Sequence, residues 1–150
     1  MADFSNLDKL AVAEKTARYE VDRVEGVDPK KPVVIIGRPA TQDNKPFFNA
    51  YMKEMGSRSR TMRKGRLTPE LMSAQRRVLK RLFPKFVFVG WENMPDVAGS
   101  EVPFSVENGE QFCAKIPEYM FDDMRDFFES EDSFLDEDEP RVNTEEVAGN

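Results

Sequence analysis

Phe83-Pro84-Lys85-Phe86-Val87-Phe88-Val89-Gly90-Trp91 is the stretch on which the fold turns. It follows an amphipathic segment that opens at Thr68-Pro69-Glu70. In that segment Leu71, Gln75, Val78, Leu79 and Leu82 share one face, and Arg76, Arg77, Lys80 and Arg81 share the other. Thr68 is placed to cap this helix, with Pro69 at its first position, where a missing N–H costs nothing. Pro84 must end or kink it, because proline has no N–H to donate and its ring clashes with the preceding turn. The run from Phe86 to Trp91 then fits either a strand or the buried end of a kinked helix. Periodicity does not separate the two over so few residues.

Working toward the N-terminus, Asn44-Lys45-Pro46 starts another helix, with Asn44 near the cap and Phe47, Phe48, Tyr51, Met52 and Met55 at helical spacing. Gly56 and Ser57-Arg58-Ser59-Arg60 loosen or end it. Before it, Val33-Val34-Ile35-Ile36 is β-branched throughout, and Arg18 to Val24 mostly alternates, with Ala17, Tyr19 and Val21 on one side. The turn-rich Glu25–Pro32 lies between them, so the spacing predicts a β-hairpin with a long loop. Residues 3–17 are predicted to be a short helix or arm, with Leu7, Leu10 and Ala11 on one face and Asp3 or Ser5 at the cap.

Toward the C-terminus, Met94–Ser100 reads as a loop. Val102-Pro103-Phe104 is extended, because the residue before a proline avoids the helical region. Ser105 is a good N-cap for a helix over Val106–Lys115. Pro117 opens a last helix whose apolar members are expected to be Tyr119, Met120, Met124, Phe127, Phe128 and Phe134. After Leu135 the chain reads Asp-Glu-Asp-Glu-Pro and carries too little apolar surface to fold alone. The expected architecture is therefore α+β and mainly α. A small N-terminal β-hairpin is followed by four or five helices in a single domain over 1–135, with an acidic disordered tail over 136–150.

Composition argues against chemistry. Among 150 residues there is no His, the commonest acid–base and metal-ligating side chain. The one Cys, Cys113, allows no internal disulfide and no cysteine metal cage. It sits beside Phe112 in an amphipathic segment and reads as a small buried apolar residue rather than a nucleophile. Gly37-Arg38-Pro39-Ala40 lacks the glycines and the Lys-Ser/Thr pair of a phosphate loop. Asp122-Asp123 and Asp136–Glu139 lack the alternating ligands and turn glycine of a calcium loop. The expectation is a non-enzymatic protein with no cofactor and no specific metal. The first residues lack the basic and apolar regions of a secretory signal, and no apolar run approaches the roughly 20 residues that span a bilayer. A soluble, cytoplasmic protein is expected.

The net charge of −6 hides an asymmetry. Residues 1–52 balance eight Lys/Arg against eight Asp/Glu; residues 53–85 set eleven basic residues against Glu54 and Glu70; residues 86–150 set Lys115, Arg125 and Arg141 against eighteen acids. The basic middle and the acidic end can attract one another, or each can meet a partner of opposite sign. Arg58, Arg60, Arg63, Lys64 and Arg66, with the patch Arg76, Arg77, Lys80 and Arg81, can contact phosphates. No aromatic residue lies between Tyr51 and Phe83, however, and single-strand binding wants exposed rings among the charges.

The order of these pieces resembles the tail assembly chaperones of long-tailed (siphovirus-type) bacteriophages. The resemblance rests on Val33-Val34-Ile35-Ile36-Gly37-Arg38, then Pro46-Phe47-Phe48-Asn49-Ala50-Tyr51, then Val87-Phe88-Val89-Gly90-Trp91-Glu92-Asn93. It continues through Val102-Pro103-Phe104-Ser105-Val106-Glu107-Asn108 and a Pro-initiated helix rich in aromatics from Ile116 to Phe134. The resemblance favours a helix for residues 86–91. Pro84 and Gly109 depart from the pattern, as does Phe112-Cys113, which stands where a Leu pair is expected.

The resemblance implies a protein that binds the phage tape-measure protein and keeps it soluble in the host cytoplasm while the tail tube assembles, without remaining in the mature virion. The major tail tube protein and a second copy of the chain are further possible partners. Trp91, Pro103, Phe104, Ser105, Glu107 and Asn108 are the motif and core candidates. Phe112, Met120, Met124, Phe127 and Phe128 are the candidates for client binding; Met suits such a surface because it repacks against varied partners. The alternatives are a nucleic-acid-binding or packaging accessory protein using the basic segment 58–85, and a tail-completion or connector protein that stays in the virion.

Overall fold

The computed structural model describes residues 3–21, 24, 27–58, 65 and 68–135. The expected acidic tail over 136–150, the basic residues Arg60, Arg63, Lys64 and Arg66, and part of the predicted hairpin loop lie outside the described residues. The architecture is mainly helical, with a small antiparallel sheet near the N-terminus. Strand β1 (Ala17–Val21) pairs with β2 (Val33–Gly37) in the predicted hairpin, with Tyr19 opposite Ile35. Helices α1 (Lys45–Met55) and α2 (Pro69–Leu82) follow, then strand β3 (Phe88–Glu92), α3 (Val106–Lys115) and α4 (Glu118–Glu129).

Three of the helices start where their side chains say they should. Asn44 Oδ1 accepts from the Phe47 N–H at 3.3 Å, Thr68 Oγ1 from Leu71 at 3.1 Å, and Ser105 Oγ from Asn108 at 3.0 Å. Each satisfies one of the N–H groups that a helix start leaves without an internal partner.

Of the helix expected over residues 86–91 only Phe86 and Val87 are helical; from Phe88 the chain is strand, and the change follows the turn that holds Pro84. Helix α2 widens there into one π-helical turn over Phe83–Val87, closed by the Phe88 N–H donating to the Phe83 carbonyl. The wider turn absorbs the missing N–H, and Phe88 then goes extended at φ −68, ψ 131. Phe88–Glu92 becomes the third strand, antiparallel to β2, with Trp91 opposite Ile35 and Gly90 opposite Ile36. The predicted hairpin is thus two-thirds of a sheet in order β1-β2-β3. Arg18 of β1 clamps Glu92 of β3 across the outer face of β2, through contacts of 2.9 and 2.6 Å. These hydrogen bonds hold the Glu92 carboxyl below its ordinary pKa.

Of the two alternatives for residues 3–17, the arm is found: only Ser5–Leu10 is helical, as a 3-10 helix with no buried residue, and Leu7 is 57% exposed. Asp3 does accept from the Ser5 N–H at 3.0 Å, as a cap would. The arm is held instead by Val12, which is buried, and by Arg38, whose guanidinium donates to the Ala13 carbonyl at 3.1 Å.

Phe83, Phe121 and Phe128 are fully buried and form the centre of the core with Ile35, Met55, Leu79 and Met124. Phe83 lies 5.3 Å from Phe121, 5.9 Å from Phe47 and 6.4 Å from Phe128, ring centre to ring centre. One proline-bearing turn therefore ties α1, α2 and α4 together. Its own proline has a counterpart: a Cβ at Gly109 of α3 would sit 3.0 Å from Pro84 Cβ and 3.3 Å from Phe104 Cε1. Pro84 and Gly109 thus face each other, and the glycine lets α3 approach the proline turn.

The phase of α4 differs from expectation. Phe121, Met124 and Phe128 are its buried residues, at i, i+3 and i+7, while Tyr119 is 64% exposed. Phe134, in a short 3-10 helix over Glu131–Phe134, completes the core against Phe128.

Candidate interaction surface

The segment from Trp91 to Asn108 is a built unit. Trp91 Nε1 donates to the Val102 carbonyl at 2.7 Å, and the Val102 N–H returns to the Met94 carbonyl at 2.7 Å. An isolated bridge between Pro95 and Glu101 closes the loop between them. Asn108 Nδ2 donates to the Pro103 carbonyl at 3.0 Å, while its backbone N–H is held by Ser105. These bonds fix the extended Val102–Phe104 step to both β3 and α3. The Trp91 ring meets Phe104 edge-on at 5.2 Å and Phe112 at 6.0 Å. Trp91, Phe104 and Phe112 are each half-buried, and Pro103, Ser105 and Glu107 are exposed. The motif therefore holds α3 in place and leaves a partly open cluster of three rings.

The client-binding candidates divide. Met124 and Phe128 are 1% and 0% exposed, packed into the chain's own core, and present nothing to a partner. Phe112, Met120 and Phe127 are half-buried. Sequence reasoning put Tyr119 in the core, but it stands in solvent beside Met120. A helical wheel anchored on Phe121, Met124 and Phe128 would have found it, since Tyr119, Asp123 and Asp126 fall on the opposite side. Tyr19 of β1 stacks at a tilt on Phe127, 5.3 Å away, and its hydroxyl donates to Asp123.

The basic patch is largely turned to the chain's own acids. Arg76 grips Asp122 of α4 through Nε at 3.0 Å and Nη2 at 2.8 Å, and reaches Glu118 at 3.3 Å. This bidentate pair holds the Asp122 carboxyl below its ordinary pKa. Arg81 pairs with Glu54 of α1 at 3.1 Å. Lys80 lies over the Phe121 ring, 5.6 Å from its centre. Arg77 is exposed, and it shares an open depression at the start of α2 with Arg58, Thr68, Glu70 and Ser73. Arg76 thus joins α2 to α4 and Arg81 joins it to α1 at the surface, with Arg77 left outward. Among the described residues, the attraction between the basic middle and the acidic end is that of Arg76 for Asp122 and Glu118.

Cys113 is fully buried, and burial pushes its thiol up to about 12. A thiol held protonated and out of contact with solvent is inert. Iodoacetamide at neutral pH should leave the folded protein unmodified by mass spectrometry and alkylate it fully in denaturant. Among the described residues, no group of three His, Cys, Asp or Glu is placed to hold a metal ion. No helix among them is long and apolar enough to cross a membrane. Comparison with protein-family models, with curated proteins and with solved structures finds no match to this chain.

Proposed function

We propose that the chain is a tail assembly chaperone of a long-tailed bacteriophage. It binds the tape-measure protein in the host cytoplasm, keeps it soluble while the tail tube assembles, and is released before the virion is complete. The observation that supports this reading is the pair of successive helices α3 and α4. They carry half-buried Phe112, Met120 and Phe127 and exposed Tyr119. An apolar, helical client hundreds of residues long aggregates through its exposed stripe. Copies of a small protein that cover that stripe by helix-in-groove docking remove the hazard. The nucleic-acid reading is disfavoured by the occupation of Arg76, Lys80 and Arg81 within the chain.

Co-expression tests the proposal. A tape-measure fragment that is insoluble alone should move to the soluble fraction when the chain is made beside it. A fragment that stays in the pellet at matched expression, with the chain itself soluble, contradicts the reading.

A further inference from the structure

The outer side of α4 has a chemistry of its own. Taking 100° per residue, Tyr119, Asp123 and Asp126 lie opposite buried Phe121, Met124 and Phe128, and Phe127 and Met120 continue that face along one flank toward the core, with Tyr19 of β1 against Phe127 and Asp123. Tyr119, Asp123 and Asp126 are exposed, and Met120 and Phe127 are half-buried. The other flank is already committed: Asp122 to Arg76, and Arg125 to Glu129 at 2.7 Å on the same helix. Between Glu118 and Leu135 the chain carries seven acids and one base, Arg125. With Glu118, Asp122 and Glu129 in ion pairs, Asp123, Asp126, Glu131 and Asp132 are left without a cation among the described residues.

We propose that this side of α4 docks a cationic amphipathic helix. The partner's apolar stripe lies on Tyr119, Met120 and Phe127, and its Lys or Arg residues lie beside Asp123 and Asp126. The inference rests on the chaperone reading and sharpens it: the bound segments of the client are those in which basic residues flank the apolar stripe. Charge selects this occupant over two others. The chain's own C-terminal segment begins Asp136-Glu137-Asp138-Glu139 and is repelled by an acidic face. A second copy meeting through the same side sets acid against acid.

The test uses the full chain and a labelled peptide of about 20 residues, long enough for some five helical turns. One version carries a leucine stripe flanked by lysine, and the other replaces each lysine with glutamate. Anisotropy should show the lysine peptide binding at least about tenfold more tightly than the glutamate peptide, since opposed and matched charges differ on the same apolar stripe. Asp126→Lys and Tyr119→Ser change exposed side chains only. Each should weaken the lysine peptide about fivefold, as a lost rim charge or ring contact would.

Four results overturn the inference: no binding of the lysine peptide, equal binding of the two peptides, indifference to both substitutions, or a dimer in light scattering that either substitution dissociates. In the last case the occupant is a second copy. Failure here with tape-measure rescue intact moves the client to another surface. Peptide binding without rescue leaves the surface in place and removes the chaperone function.

Discussion

Phe128→Ala is expected to lower the unfolding free energy by about 3–5 kcal/mol, the range for removing a buried phenylalanine. Phe128 is 0% exposed and touches most of the molecule's parts. Its ring lies 6.3 Å from Tyr19 of β1, 6.4 Å from Phe83 of the π turn, 6.3 Å from Phe88 of β3 and 6.3 Å from Phe134. The backbone takes part too, since the Phe128 carbonyl accepts the Ala40 N–H at 2.8 Å. A Cβ at Gly37 would stand only 2.7 Å from Phe128 Cε1, so the ring is seated directly against the backbone of β2. Little can relax into the space it leaves, which puts the cost at the upper end for a cavity. Phe127→Ala is the control. It removes the adjacent ring from a half-buried position against Tyr19, on a flank of α4, and should cost clearly less. Urea unfolding followed by Trp91 emission measures both. Equal costs would show that Phe128 is not at the centre of the core.

Asn44→Ala should cost about 2–4 kcal/mol, the sum of a lost cap and an orphaned buried carbonyl. Asn44 is the buried polar residue of the core, 0% exposed. Its Oδ1 caps α1, and its Nδ2 donates to the Phe86 carbonyl at 2.8 Å. Phe86 lies in the π turn, where the wider winding leaves carbonyls without their ordinary partners. One side chain therefore stabilises the start of α1 and the irregular end of α2 together. Asn44→Asp separates the two roles. It keeps the capping oxygen but turns a second oxygen toward the Phe86 carbonyl, and it should be at least as damaging as Ala. A stability near wild type for Asn44→Asp would mean that the bond to Phe86 contributes nothing.

These two residues mark what the sequence discloses and what it does not. Asn44, Thr68 and Ser105 are legible as caps because the signal is local: a short polar side chain before an apolar periodic run. The hairpin is legible because four β-branched residues face an alternating segment across a turn-rich loop. The third strand is not. Phe86–Trp91 carries the same apolar pattern whether it is strand or helix, and the choice is made by Pro84 and by the open edge of β2, some fifty residues away in the chain. The phase of α4 is hidden for a related reason. Tyr119, Met120, Phe121, Met124, Phe127 and Phe128 spread over about half of the helix circumference at 100° per residue, so hydrophobicity alone does not say which part of that arc is inward. Packing against Phe83 decides it, leaving Tyr119 outside. The basic patch shows the same limit. Charges are visible in sequence, but the partners of Arg76, on another helix, are not.

The same distinction governs the function. Of the residues that carry the resemblance, those from Trp91 to Asn108 hold β3 and α3 together, whereas the proposed client meets side chains left open on α3 and α4. Aggregation of the tape-measure protein tests the central claim most directly. The client is diluted from denaturant into buffer with and without the purified chain, and light scattering is followed at low salt and near molar salt. The account predicts that stoichiometric chain suppresses scattering at both ionic strengths, because apolar burial is not screened. Charge reversal at Arg77, the outward member of the basic patch, bears on the rival reading and should leave suppression in place. Scattering that rises unchanged in the presence of the chain, together with polynucleotide binding that disappears as salt is raised, would contradict it.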